Sequence, residues 1–204
     1  MSEQEQQSML NRFLQTVAAH QMTVLKDDGL YRHLRFQHPQ HNITDAFELI
    51  TIPDRLMLDG DHGTVVFSRL PDMFQFFRSE TLEQLPVDYW SEKIIAHWPY
   101  INILTYDQRL AEDNIQKDFD DWVAAHPLSA VDADIAQQEL DNILYDCHDR
   151  DALFNHDGTE FECGYVFHID RINFDVLHPS LRWCMYEIVW GIQQYDKAKR
   201  SSNA

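Results

Sequence analysis

Between Asp107 and Glu162 the chain carries sixteen carboxylates, opposed only by Arg109, Lys117 and Arg150. That stretch holds −13 of the formal −18 of a 204-residue chain, so whatever it folds into must keep those charges in water. Disordered acidic tracts lack spaced apolar residues. Here Ile115, Phe119, Trp122 and Val123 recur at helical spacing, and so do Val131, Ile135, Leu140, Ile143 and Leu144. His126-Pro127-Leu128-Ser129 stops one pattern and offers Ser129 as the N-cap of the next. The stretch therefore predicts two amphipathic helices, 108–125 and 130–147, each with an inward apolar stripe and an acidic outer face. Like charges one turn apart, about 6 Å along the axis, repel by a few tenths of a kcal/mol per pair. Two readings stay open: a solvated face that aids solubility, or an anionic surface built to occupy a cationic groove.

The remaining composition narrows the class. Hydrophobic content of 44% with 12% aromatic residues is globular. Cys147, Cys163 and Cys184 form no C-x-x-C pair, which points to buried thiols in a reducing, cytoplasmic setting. The first residues show no signal-peptide pattern, and no stretch has the length of a membrane span. A net charge of −18 argues against direct nucleic-acid or anionic-membrane binding and favours basic partners.

Upstream, residues 3–21 predict a helix with Met9, Phe13, Leu14, Val17 and Ala18 on one stripe. Met22 to Lys26 and Leu30 to Phe36 predict a hairpin around Asp27-Asp28-Gly29. After a polar loop from Gln37 to Thr44 come strands Phe47 to Ile52, Leu56 to Asp59 and Thr64 to Ser68. Leu70-Pro71-Asp72 starts a helix whose Met73, Phe74 and Phe77 face the core. Asp88 to His97 predicts a helix with Trp90, Ile94 and Ile95 inward. Asp149 to Phe161 predicts a loop, and Tyr165 to Ile169 one more strand. A last helix, 180–196, is apolar nearly all round and is expected at the centre of the helical part. The expected fold is α+β: an N-terminal helix packed on an antiparallel β-meander (1–78), an acidic, mainly helical lobe (79–196) and a basic, flexible tail (197–204).

Few motifs carry chemistry. His38-x-x-His41 sits in a polar loop with no third ligand at a recognisable spacing. Asp59-Gly60-Asp61-His62-Gly63 begins like a calcium loop, but Thr64 and Leu70 stand where that loop needs Gly and Glu. Cys147-His148-Asp149 holds nucleophile, base and carboxylate types side by side, whereas catalytic groups meet from separate segments. No hydrolase, zinc-protease, phosphate-loop or dinucleotide fingerprint is present, and no cofactor is implied. A metal-dependent hydrolase or nuclease built from scattered carboxylates stays open as the alternative. Arg32 shares a strand face with Leu34 and Phe36, which points to a structural ion pair with Glu48 or another carboxylate. An anion-binding patch of Arg32, Arg35, Arg55, Arg69 and Arg78 is the other reading.

Three stretches carry a family resemblance. They are His20 to Leu25 running into Asp28 to Phe36, Gly60 to Arg78, and Trp183 to Tyr186 with Val189 to Asp196. In that order they resemble an uncharacterised family of small tailed-phage and prophage proteins of proteobacteria. The resemblance implies a host bacterial cytosol and a gene acting on host machinery; it supplies no catalytic residue. With the acidic helices, it leads to the expectation of a phage-encoded, DNA-mimicking inhibitor of a host nucleic-acid-handling defence complex, of the anti-CRISPR or anti-restriction type. Glu112, Asp113, Asp120, Asp132, Asp134, Glu139 and Asp141 are the expected contacts to the partner's basic surface. Duplex DNA presents about one charge per 1.7 Å of axis, so two helices side by side would be needed to match it. The third possibility is a non-catalytic phage accessory protein with a solvated acidic face.

Overall fold

A computed structural model describes residues 3–40, 45–98 and 103–202. The chain is α+β, as the patterning predicts, and divides into two compact units: Met1–Ile103 with Leu177–Ala204, and Leu104–Val176.

The first unit opens with helix α1 (Glu3–Val17) and continues into strands β1 (Gln21–Asp28), β2 (Tyr31–Gln37), β3 (Phe47–Ile52), β4 (Arg55–Gly60) and β5 (Gly63–Phe67). Helices α2 (Met73–Phe77) and α3 (Val87–Ser91) then lead to a sixth strand, β6 (Ile94–Trp98). All six strands pair antiparallel in sequence order. The first turn falls one residue later than its Asp-Gly pair suggests. Asp28 opposes Tyr31, and Gly29 takes φ 62° at the first turn position, where a side chain would be strained.

Alternation sets the faces. Leu34, Phe36, Phe47, Leu49, Leu56, Leu58, Val65 and Phe67 point to one side and are fully buried or nearly so. Against them pack Leu10, Phe13 and Val17 of α1, Met73, Phe74 and Phe77 of α2, and the C-terminal helix α7 (Pro179–Ser202). Each such Phe or Leu contributes about 1.5–3 kcal/mol when fully buried. Gly191 is required where α7 crosses the sheet, because a Cβ there would lie 2.7 Å from Leu49 Cδ1 and 3.1 Å from Phe36.

Three expectations change here. The helix expected over Asp88 to His97 stops after Ser91, and Ile94–Trp98, β-branched and aromatic, adds to the sheet edge instead. The last helix packs with the sheet's unit, not at the centre of an acidic lobe, because its apolar surface is what the inner sheet face needs covered. The expected basic tail is helical through Ser202, with Lys199 bonded to Asp27 at 2.5 Å.

The second unit begins with β7 (Leu104–Tyr106), then helices α4 (Gln108–Ala125), α5 (Ala130–Tyr145) and α6 (Arg150–Phe154), and ends with β8 (Asp175–Leu177), which pairs with β7. Ser129 is the N-cap of α5, as expected, accepting from the Asp132 N–H at 3.2 Å. The segment expected as a loop contains α6, capped by Asp149. The strand expected at Tyr165 to Ile169 is a single bridge between Glu160 and Val166. Ile115, Phe119, Leu140 and Ile143 enclose a second core with Leu153, Phe161, Tyr165 and Phe167.

Candidate partner-binding surface

The second unit holds eighteen carboxylates against four bases, −14 of the chain's −18. Many of these acids serve the fold directly. Asp107 and Asp149 cap helices. Asp118 accepts from the Tyr165 hydroxyl at 2.7 Å, Asp146 bonds His156 at 2.7 Å, and Asp175 pairs with Arg150 at 3.2 Å. Burial, then the Asp118 carboxylate, pushes the Tyr165 phenol far up, so it stays a donor. The charge density of this region is thus partly the chemistry of capping and cross-linking short elements.

The seven singled-out carboxylates do not form one strip. Successive helical residues turn about 100° around the axis. On α4, Asp113 and Asp120 lie seven residues apart on the outer side, but Arg109 and Lys117 lie there too, and Lys117 pairs with Asp121 at 2.5 Å. That outer face therefore carries three acids and two bases. Glu112 is half-buried at its flank and accepts from Gln108 at 2.7 Å. α4 is a mixed-charge surface, not half of an anionic ridge.

On α5 the arrangement differs. Asp132 and Glu139 share one line, Asp134 and Asp141 another, and the two-residue offset sets the lines about 160° apart. Asp132 accepts from the Ser129 hydroxyl at 2.7 Å, and Glu139 accepts the Glu162 N–H at 3.2 Å. Asp141 accepts from Gln137 at 2.9 Å, and Asp134 is exposed. Between the lines runs an uncharged strip, Val131, Ile135, Gln138, Asn142 and Tyr145, at the spacing of one helical face. Val131 is 68% exposed and Tyr145 80%. The sequence pattern assigned Val131 to the inward stripe. It points outward, because Ala136, Leu140 and Ile143 define the buried side. The strip's regular spacing was visible in the sequence but reads equally well as core.

The other candidates resolve structurally. Cys147 is fully buried, its thiol held by the Ile143 carbonyl at 3.6 Å and pushed up to about 11 by burial and by Glu112 and Asp146. His148 is exposed and bonds the Tyr145 carbonyl at 2.8 Å, while Asp149 caps α6, so these three neighbours face different ways. Among the described residues no group of three or more His, Cys, Asp or Glu is arranged to hold a metal ion. His41 lies outside the described residues. Asp59 to Gly63 is the β4–β5 turn, where Asp61 accepts the Asp45 N–H at 2.6 Å. Arg32 forms a structural pair as expected, though with Asp72 (2.8 and 3.3 Å); Glu48 takes Arg35 instead, at 2.6 Å.

Sequence reasoning missed Glu187. This carboxyl is fully buried on α7, where Oε1 accepts the Trp183 indole N–H at 3.2 Å and Oε2 has no hydrogen-bond partner among the described residues. His62 stacks on Trp183, with its Nδ1 3.4 Å from Oε1 but without hydrogen-bond alignment. Burial raises the Glu187 carboxyl above its ordinary value, and the His62 and Trp183 contacts only partly offset this.

Compared with protein-family models, curated proteins and solved structures, the chain matches none. No helix among the described residues is long and apolar enough to cross a membrane.

Proposed function

We propose that this is a non-catalytic binding protein that lays α5 into a cationic groove of a protein handling single-stranded nucleic acid, and thereby blocks that groove. The observation carrying this reading is the uncharged strip of α5, with its outstanding Tyr145, set between two lines of carboxylates. Asp132, Asp134, Glu139 and Asp141 span nine helical rises, about 13 Å, or roughly one charge per 3–5 Å. That is near the one charge per about 3.4 Å of a single strand and well below the density of a duplex. Grooves for single strands combine cationic tracks with apolar, aromatic platforms for the bases, and an acid-flanked neutral strip has the complementary layout. The mixed charge of α4 favours this over the two-helix duplex mimic. The resemblance to tailed-phage proteins supplies the setting, an inhibitor of host nucleic-acid machinery.

The test is capture from proteobacterial lysate on the immobilised protein, followed by competitive release. The expected result is an enriched nucleic-acid-binding protein that a single-stranded oligonucleotide releases more readily than a duplex of equal length. D134N/D141N should weaken capture about tenfold, while D113N/D120N on α4 leaves it unchanged. Equal capture by both variants would end the proposal, as would enrichment of no nucleic-acid-binding protein.

A further inference from the structure

One face of the six-stranded sheet is packed by helices of its own unit, and the other face carries apolar residues that belong to neither core. On that outer face the registers set Ile50 opposite Met57, Met57 opposite Val66 and Val66 opposite Ala96. His33, opposite Ile50, ends the row. Five strands are crossed, about 19 Å at about 4.8 Å per strand. Ile50, Met57 and Val66 are half-buried, shielded only in part, and Tyr31 and Ile52, each nearly half exposed, lie on the same side. Antiparallel sheets commonly turn a polar face to water, so a contiguous apolar row across the middle of this one is a candidate interaction surface.

The charges around the row cancel. Arg35 and His33 both bond Glu48, Thr64 donates to Asp59, and Arg55 donates to the Ser68 hydroxyl. With Lys26 opposite His33 and Asp28 opposite Tyr31, three bases thus balance three carboxylates on a chain whose net charge is −18. We infer that this face is where two copies of the chain meet, related by a two-fold axis that lays one apolar row across the other. Two strongly anionic copies repel at most approaches, and a locally neutral face lowers that penalty at contact. A charged partner of another kind would gain no steering from it. Six strands, five to eight residues long and paired over about five or six, make a footprint of about 24 by 18 Å, roughly 430 Å² per copy. Stable interfaces bury about 800 Å² per partner, so the dimer is weak and concentration-dependent.

The test is analytical ultracentrifugation of the full chain from about 5 to 500 µM, the range in which a micromolar Kd is read. The expected result is a mass moving from one chain toward two, with association strengthened by added salt as the residual repulsion is screened. Met57→Asp and, separately, Val66→Lys should each weaken it at least about tenfold while circular dichroism shows a folded chain. Should one variant unfold, the other decides. A single-chain mass across the whole range overturns the inference. Unchanged association in a folded variant also does, and so does a face that becomes protected only when a different protein is added.

Discussion

Glu187→Gln should stabilise the protein at neutral pH, although it removes a charge from a pair with His62. Glu187 is wholly buried, and among the described residues Oε2 has no partner. A buried polar group left unpaired costs about 1–3 kcal/mol, and more when ionised. A Gln carboxamide keeps the 3.2 Å indole bond through an oxygen at the Oε1 position, and its NH2 at the Oε2 position carries no charge to desolvate. The gain is therefore about 1–3 kcal/mol, or about 2–4 °C in Tm per kcal/mol for a chain of this size. Its pH dependence is distinctive. Burial raises the folded-state carboxyl above its ordinary 4.5, so the folded protein holds this proton more tightly than the unfolded chain. The stability linked to that proton is fully present below about pH 4.5 and is lost as pH rises through the folded-state value. Gln does not titrate. Urea denaturation of both proteins at about pH 4 and about pH 7.5 should show a small difference at the lower pH and the full gain at the higher. A less stable variant at neutral pH would refute the reasoning by showing that attraction to a charged His62 outweighs desolvation. A gain equal at both pH values would refute the titration argument.

Arg32→Ala should cost about 3 kcal/mol in urea, because it strands a mostly buried Asp72 carboxylate; a loss below about 1 kcal/mol would contradict that. Burial works to raise that Asp72 carboxyl, but the Arg32 bonds hold it below its usual value, so the loss should shrink as pH falls through the carboxylate range. Ser129→Ala removes the α5 N-cap and should cost about 1 kcal/mol, visible as a lower melting temperature. Gly191→Ala should destabilise by about 1–3 kcal/mol through the clash with Leu49 and Phe36; a gain in stability, which helix propensity alone favours, would show that α7 can shift.

The meander was legible because its turns are chemically explicit. Gly29, Pro53-Asp54 and Asp61-His62-Gly63 fix where strands end, and strict alternation fixes which side faces in. α4 and the start of α5 were legible through periodicity and the Ser129 cap. Ile94–Trp98 was not, because a short apolar run following a helical turn fits either state until a sheet edge is there to accept it. α7 was recognised as apolar, but composition cannot tell which layer covers an all-round apolar helix. The acidic surface was legible as charge but not as geometry. Tertiary partners such as Tyr165 for Asp118 are remote in sequence, and one residue of rotation moves a side chain 100° around a helix.

The central claim is that α5, not the acidic unit as a whole, touches the partner. Carbodiimide labelling of carboxylates, read by mass spectrometry in the free protein and in the captured complex, tests it most directly. The account predicts that Asp134 and Asp141 lose reactivity on binding while Asp113 and Asp120 on α4 keep theirs. Protection of Asp113 and Asp120 with Asp134 and Asp141 still labelled would contradict it.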